Sequence, residues 1–248
     1  MIWFFDLDNT LHDASHQVFP AINANMNAFI AGVLGKDGAI ADPAAVEAAR
    51  VSYLQRYGAT LLGMIHHHQV DSATFLAAAH RFDDLGSMLR AERGVGQYLS
   101  ALPGQKVLLT NAPLRYSSDV VRHFGLQRHF THHVAIESMR VHGHLRPKPS
   151  KSMLRQLIAR HRVPAHHCIL VEDTLANLKA AKAVGMRTVW MTGYLRRIPA
   201  TAESLKVAKT ATQHAADVAK TGKRPAYVDV KVQSLKQLFD SLRSLMPV

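Results

Sequence analysis

The chain has 248 residues, of which 48% are hydrophobic and 19% are charged. This composition supports a sizeable hydrophobic core and excludes the disordered and collagen-like classes. Thirty basic residues against 18 acidic ones give a formal net charge of +12 at pH 7, which raises the question of nucleic-acid binding. The single cysteine, Cys168, excludes an intrachain disulfide, and we expect a buried, unreactive thiol.

The amino-terminal residues do not resemble a secretory signal. The apolar residues 1–5 have no basic residues before them and end at Asp6, and a signal peptide needs both a basic lead and a longer apolar stretch. No apolar run approaches the roughly 20 residues of a membrane-spanning helix. We therefore expect a soluble, cytoplasmic protein without a membrane partner, and the sequence leaves its oligomeric state open.

Four short apolar runs are each followed by polar residues, a pattern typical of strands buried on both faces of a sheet. They are residues 2–5, 107–109, 168–171 and 188–191. Stretches with helical periodicity lie between them. Strands that alternate with helices predict a doubly wound, mostly parallel α/β sheet. Ligands of such sheets bind beyond the carboxyl ends of the strands, where the polar residues lie.

A long helical region separates the first predicted strand from the second. Residues 14–100 contain one amphipathic stretch after another, which predicts a helical cap domain inserted after the first strand. Residues 1–13 and 101–248 then form the catalytic core. We expect this core to carry the ligand-binding edge of the sheet.

The carboxy-terminal part of the core is interrupted by residues 196–224, which are rich in Ala, Thr and Lys. Their composition predicts a basic surface insertion. After it, residues 226–232 alternate like a strand. Residues 235–245 predict a closing amphipathic helix.

Acidic residues follow two of the predicted strands. Asp6 and Asp8 lie two residues apart; if the backbone turns after Asp6, one carboxylate can act as a nucleophile and the other as an acid and base. Glu172 and Asp173 follow another strand, and four carboxylates at one edge require a hard cation, for which we predict Mg2+. Each acidic pair could instead cap the next helix. Because both pairs follow apolar strands, we favour a site.

Three further polar residues fit a site for an anionic group. Thr110 and Asn111 follow the second predicted strand and precede a predicted helix, where hydroxyl, amide and backbone N–H groups can bind phosphate. Lys148 lies between Pro147 and Pro149, in a stiff loop that could hold a fixed positive charge. An isolated lysine in a loop is otherwise usually solvated.

These elements, in this order, resemble the haloacid dehalogenase (HAD) superfamily of aspartate-nucleophile phosphatases. The most specific element is Asp6-Leu7-Asp8-Asn9-Thr10-Leu11. The resemblance implies that Asp6 is the nucleophile that takes the phosphoryl group and that Asp8 is the general acid and base. It also implies that Thr110 and Lys148 hold the transferred group. Dehalogenases of the superfamily lack the second aspartate, so Asp8 favours a phosphatase.

The same resemblance implies a magnesium site. Mg2+ would be bound by Asp6, by the backbone carbonyl of Asp8 and by Asp173. Glu172 would assist directly or through a water molecule. Asn111 would join Thr110 and Lys148 in substrate binding.

Within the superfamily the chain is similar to the pyrimidine 5'-nucleotidase type, whose substrates are small phosphorylated nucleosides. The matching segments are 5–11, 57–61, 110–112, 172–174 and 177. The family often has Phe where this chain has Met153, and residues 196–224 lie outside the resemblance. Two alternatives stay open within the superfamily: a sugar-phosphate or phosphoglycolate phosphatase, and a phosphomutase.

The positive charge and the histidines suggest other functions. Residues 101–195 carry 14 basic and 4 acidic side chains, which leaves a polyanion- or RNA-binding protein on a phosphatase fold as an alternative. The basic residues are not interleaved with aromatic residues, and no known nucleic-acid-binding motif accompanies them. We therefore expect no specific nucleic-acid partner. Among 16 histidines, residues 66–68 form a run that lacks the i, i+4 spacing of a helical metal site.

Overall fold

The computed structural model describes residues 1–195 and 223–242. Its helices are α1 (Val18–Leu34), α2 (Pro43–Tyr57), α3 (Thr60–His68), α4 (Ser72–Ala79), α5 (Leu85–Met88), α6 (Val95–Ala101), α7 (Leu114–His123), α8 (Lys151–His161), α9 (Leu175–Ala183) and α10 (Leu235–Asp240). Its strands are β1 (Ile2–Phe5), β2 (Gln105–Leu109), β3 (His132–Val134), β4 (Arg140–Val141), β5 (His144–Leu145), β6 (Cys168–Glu172), β7 (Arg187–Met191) and β8 (Val230–Val232). Among the described residues, no helix combines the length and apolar character that crossing a membrane requires.

Six strands form one parallel sheet in the order β3-β2-β1-β6-β7-β8. The mostly parallel sheet flanked by helices that the sequence predicts is confirmed. Strand β1 lies between β2 and β6, with Phe5 opposite Leu108 on one side and Val171 on the other. The carboxyl ends of these three strands therefore meet at one edge. Strands β4 and β5 form a separate antiparallel pair.

Both faces of β1 are buried. Ile2 and Phe4 belong to a core cluster that includes Leu154 of α8 and Leu178 of α9. Trp3 and Phe5 point to the opposite face, because side chains alternate along a strand, and neither is exposed to solvent. This two-sided burial explains why the strand sequence is apolar at every position.

The chain divides into two compact units, one formed by Met1–Ser15 together with the residues from Leu89 onward, and the other by His16–Met88. The second unit contains α1–α5 and is shorter than the predicted cap of residues 14–100. The residues from Leu89 to 100 belong to the first unit. There the backbone N–H of Leu235 donates to Glu92 Oε1 at 2.7 Å.

The His16–Met88 unit contains residues 57–61, one of the segments on which the nucleotidase resemblance rests. Helix α2 begins after Asp42, whose carboxylate accepts hydrogen bonds from two backbone N–H groups, and it ends at Gly58 with φ 79°. Only glycine adopts this left-handed conformation without strain. Residues 57–61 thus comprise the last residue of α2, the two-residue connection Gly58 and Ala59, and the first two residues of α3.

The carboxy-terminal predictions are partly outside the described residues. The predicted strand at 226–232 is too long: β8 covers Val230–Val232, and Val228 N donates to Pro225 O at 3.0 Å in a preceding turn. Helix α10 ends at Asp240, and the predicted helix continues to 245, beyond the last described residue. The basic insertion predicted at 196–224 lies outside the described residues except for its last two.

Candidate active site

The backbone turns immediately after Asp6. Leu11 N donates to Leu7 O at 2.9 Å, and Asn9 has φ 57°, a left-handed conformation that Asn tolerates better than most residues. Asp6 thus continues the line of β1, while Asp8 lies in the turn. The two carboxylates therefore lie on different parts of the backbone and do not share one strand face. Separate roles as nucleophile and acid would require such a separation.

Lys148 lies between two of the predicted carboxylates. Its side chain is buried, and Nζ donates to Asp6 Oδ1 and to Glu172 Oε2, each at 2.7 Å. Burial disfavours the charged lysine, but the two carboxylates outweigh this effect and raise the pKa of Lys148 above its ordinary value. The ammonium group is therefore a fixed positive charge at the end of β1.

The Lys148 backbone is held by Asn111. Lys148 N donates to Asn111 Oδ1 at 2.9 Å, and Asn111 Nδ2 donates to Lys148 O at 3.0 Å. The neighbouring Thr110 is buried, and its Oγ1 accepts a hydrogen bond from Ala112 N at 3.1 Å. The structure thus brings Thr110, Asn111 and Lys148 together. The sequence does not predict this reciprocal pair, which ties the Asn111 side chain to the Lys148 backbone.

The Glu172 carboxylate accepts four hydrogen bonds. Oε1 accepts from the backbone N–H groups of Asp173 and Thr174, both at 3.1 Å. Oε2 accepts from Lys148 Nζ and from Asn177 Nδ2, the latter at 2.9 Å. Burial alone raises a carboxyl pKa, but Lys148 and the N–H donors outweigh burial and lower the pKa of Glu172. Glu172 is therefore a charged anchor for Lys148.

Asp6, Glu172 and Asp173 form a buried acidic cluster whose ligand atoms lie within 4.8 Å of one another. Burial, and next the charge of Glu172, raises the pKa of both Asp6 and Asp173 well above the ordinary value. Three carboxylates with Lys148 as partner leave excess negative charge that a hard cation with oxygen ligands would neutralise. The donor set fits Mg2+. Within residues 1–195 and 223–242, the histidine run at 66–68 belongs to no such group.

Asp8 is held by two residues that the sequence analysis missed. Tyr116 Oη donates to Asp8 Oδ1 at 2.6 Å, and His12 Nε2 lies 2.8 Å from the same oxygen. Burial and the nearby Asp8 raise the pKa of Tyr116 well above its ordinary value, so the phenol stays protonated. His12 follows Asp8 by four residues and Tyr116 lies in the first turn of α7. Neither residue lies in the motif segments of the sequence analysis, and only their proximity to the segments at 5–11 and 110–112 could have suggested them.

A further residue missed by the sequence analysis fixes the loop after β6. Trp190 of β7 is fully buried, and its Nε1 donates to the backbone carbonyl of Asp173 at 2.9 Å. A buried indole N–H needs such a partner. The contact ties the acidic loop to the neighbouring strand.

Comparisons with protein families show the family of the chain. A family model described as haloacid dehalogenase-like hydrolase matches residues 2–185, and one described as HAD-hydrolase-like matches residues 145–238. The chain belongs to the haloacid dehalogenase-like hydrolase family. The predicted membership of the HAD superfamily is thereby confirmed.

Solved structures of this family share the fold of the chain. A HAD phosphatase from Thermococcus onnurineus is 16% identical over 97% of each chain, with a TM-score of 0.59. L-2-haloacid dehalogenase from Xanthobacter autotrophicus, with chloropropionic acid covalently bound, is 16% identical over 98% of each chain, with a TM-score of 0.55. At these identities the similarity shows the fold alone. A phosphatase and a dehalogenase fit about equally well, so the site residues must decide the chemistry.

Proposed function

We propose that this HAD hydrolase is a Mg2+-dependent phosphomonoesterase that acts through an aspartyl phosphate. The observation that carries the proposal is the carboxylate of Asp8, hydrogen-bonded in the turn two residues beyond Asp6. A carboxylate nucleophile alone suffices to displace a halide, because chloride leaves without a proton. An alkoxide leaving group needs a proton donor, and Asp8 supplies one.

In the first step an oxygen of the Asp6 carboxylate attacks phosphorus in line. Its Oδ1 already accepts a hydrogen bond from Lys148, which favours Oδ2 as the attacking atom. The bond between phosphorus and the ester oxygen breaks, and Asp8, as a carboxylic acid, gives its proton to the leaving alkoxide. The products of this step are a free alcohol and a phosphorylated Asp6.

In the second step Asp8, now a carboxylate, takes a proton from a water molecule. The water oxygen attacks phosphorus, and the bond between phosphorus and the Asp6 oxygen breaks. Inorganic phosphate leaves, and both aspartates return to their starting states. Lys148 and Thr110 lie at the same edge of the sheet and bind the phosphoryl oxygens in both steps.

Asp6, Asp173 and the backbone carbonyl of Asp8 are the proposed ligands of Mg2+. Glu172 already accepts four hydrogen bonds, which suits it to contact the ion through water. When bound, Mg2+ would offset the negative charge of the phosphoryl oxygens. The raised pKa values of Asp6 and Asp173 support this assignment, because such carboxyl groups lack sufficient positive charge nearby.

For the substrate we propose a pyrimidine nucleoside 5'-monophosphate. The support is the resemblance of segments 57–61, 110–112 and 172–174 to the pyrimidine nucleotidase type. A sugar phosphate or phosphoglycolate is the second candidate, since the phosphoryl-binding residues are the same for any phosphate ester.

A panel of compounds with and without Mg2+ tests the proposal. We expect phosphate release from p-nitrophenyl phosphate and faster release from UMP, CMP or dTMP than from glucose 6-phosphate or phosphoglycolate. EDTA should abolish each activity. The variant Asp6→Asn should lose at least ~10³-fold in turnover, because it removes the nucleophile. The control Asp119→Asn changes a partly exposed aspartate paired with Arg122 and should leave turnover unchanged.

Three outcomes would contradict the proposal. One is chloride release from 2-chloropropionate without phosphate release from any ester. Another is wild-type turnover by Asp6→Asn. The third is the absence of any turnover together with salt-sensitive binding to polyanions, which would support the binding-protein alternative.

A further inference from the structure

We propose that Tyr116 and His12 are positioning residues that hold Asp8 in the orientation from which it transfers protons. The inference rests on the proposed function, in which Asp8 is the general acid and base. We call the two residues the Asp8 clamp.

Both members of the Asp8 clamp bind the same carboxylate oxygen. Tyr116 Oη lies 2.6 Å and His12 Nε2 lies 2.8 Å from Asp8 Oδ1, and the two donors lie 3.3 Å from each other. Because the phenol hydrogen points to Asp8, His12 Nε2 faces two oxygens and must carry a hydrogen to form a favourable contact. The hydrogen-bond network thus assigns the Nε2–H tautomer to His12.

The clamp is built from two separate parts of the core. His12 lies in the turn after β1 and is fully buried, and Tyr116 lies on α7 and is 3% exposed. Phe124, near the end of α7, packs beside the His12 ring with 6.2 Å between ring centres. Nδ1 of His12 is buried without a hydrogen-bond partner among the described residues. Nε2 is therefore the ring nitrogen through which the buried His12 makes its polar contacts, with Asp8 and with Tyr116.

The geometry has a consequence for the proton that Asp8 transfers. Oδ1 already accepts two hydrogen bonds, so a proton carried by Asp8 belongs on Oδ2. The clamp fixes both torsions of a short side chain and directs this second oxygen consistently. Without the hydroxyl of Tyr116, Asp8 would sample other rotamers, and proton transfer to the leaving group would become less frequent.

The dependence of the rate loss on the leaving group distinguishes a positioning role from general support of the fold. An alkoxide needs protonation as it leaves, whereas p-nitrophenolate is a stable anion and needs it much less. The value of kcat/KM reports the steps up to formation of the aspartyl phosphate, so the later hydrolysis does not enter the comparison. A defect in positioning Asp8 should therefore reduce kcat/KM more for an alkyl phosphate than for p-nitrophenyl phosphate.

The experiment compares Tyr116→Phe with wild type on glycerol 2-phosphate and p-nitrophenyl phosphate in Mg2+. Removal of one partner from a buried hydrogen bond corresponds to about a five- to hundredfold change in rate. We expect a loss of this size in kcat/KM for glycerol 2-phosphate and at most about threefold for p-nitrophenyl phosphate. His12→Leu should show the same pattern, and His12→Gln, which retains an N–H donor, should recover part of the loss.

The control is Ser117→Ala, the residue after Tyr116 on α7. Ser117 is also buried, and its hydroxyl donates to Pro113 O at 2.8 Å and lies 2.8 Å from His133 Nε2. We expect equal, small changes for the two esters. Equal losses for both esters in Tyr116→Phe, or no loss, would overturn the clamp.

If the wild-type protein hydrolyses neither ester, the proposed function is contradicted but the clamp is not. A crystal structure of Tyr116→Phe then tests the clamp separately. The clamp still requires the Asp8 side chain to occupy one orientation in wild type and to change or become mixed in Tyr116→Phe. An unchanged Asp8 orientation in the variant would overturn it.

Discussion

Lys148 Nζ lies 2.7 Å from Asp6 Oδ1, and the two residues are 142 positions apart in the chain. The contact places a buried ammonium group directly on the proposed nucleophile. Glu172 holds the other side of the same ammonium at 2.7 Å. The lysine is thus fixed by two carboxylates and places one positive charge among the acidic residues of the site.

Replacing this lysine should affect both activity and stability. Lys148→Met leaves Asp6 and Glu172 without their shared partner, and breaking a buried ion pair costs about 3–5 kcal/mol. We expect a loss of about 10²-fold or more in kcat, as for removal of a charge-stabilising donor. Urea unfolding and p-nitrophenyl phosphate hydrolysis measure the two effects. The control Lys182→Met breaks a partly exposed pair with Asp229 and should cost less than about 1 kcal/mol; a similar loss in both variants would contradict the prediction.

The Asn111 side chain should matter through the Lys148 backbone. Asn111→Ala removes two reciprocal hydrogen bonds and should lower the free energy of unfolding by about 1–3 kcal/mol. Because the Lys148 loop would lose its attachment, we also expect kcat to fall by about tenfold or more. Asn25→Ala is the matched control: Asn25 Nδ2 donates to two backbone carbonyls of the His16–Met88 unit. Its stability should fall while turnover stays unchanged, and equal turnover losses would count against the role of Asn111.

Cys168 should be unreactive in the folded protein. It begins the central strand β6 and is fully buried, and burial raises the pKa of its thiol to about 11. The thiolate fraction at pH 8 is then on the order of 10⁻³. We expect no reaction with a disulfide reagent such as DTNB in native buffer and one thiol per chain in guanidinium chloride. Complete labelling of the native protein within minutes would contradict the burial of β6.

The parallel sheet and the gathering of polar residues at its carboxyl edge were predictable because both depend on local patterns. A strand buried on both faces must be apolar throughout, and the residue after it is the first that can be polar. Asp6 and Thr110 are the first residues after β1 and β2, and Glu172 is the last residue of β6. Parallel pairing then brings them together without any information about side-chain packing.

Other features were not predictable because they depend on tertiary contacts. Strand β3 begins with two histidines and lies at the sheet edge, so it lacks the apolar run that identifies the central strands. Tyr116 and His12 contact Asp8 only after α7 packs beside the turn following β1. A tyrosine at the start of an amphipathic helix has no local feature that distinguishes it from a core residue.

The acidic cluster should make the stability of the metal-free protein depend on pH. The folded-state pKa values of Asp6 and Asp173 lie well above the ordinary 3.8. Folding therefore favours the protonated forms of Asp6 and Asp173. The free energy of unfolding that these protonated forms contribute is fully present below pH 3.8 and is lost as the pH rises through the raised pKa values. Glu172, with a lowered pKa, acts in the opposite direction.

Mg2+ should offset this loss, and its effect should grow with pH. At a concentration of 100 times its Kd, a ligand of the folded state adds about 2.7 kcal/mol, which corresponds to a rise in Tm of about 5–10 °C for a chain of this length. Thermal unfolding in EDTA and in Mg2+ at pH 5 and pH 8 measures the effect, with a larger rise expected at pH 8. Asp173→Asn should raise the stability of the EDTA-treated protein at pH 8 and shrink the Mg2+ effect. A rise in Tm that is equal at both pH values, or that survives unchanged in Asp173→Asn, would show that the ion binds elsewhere.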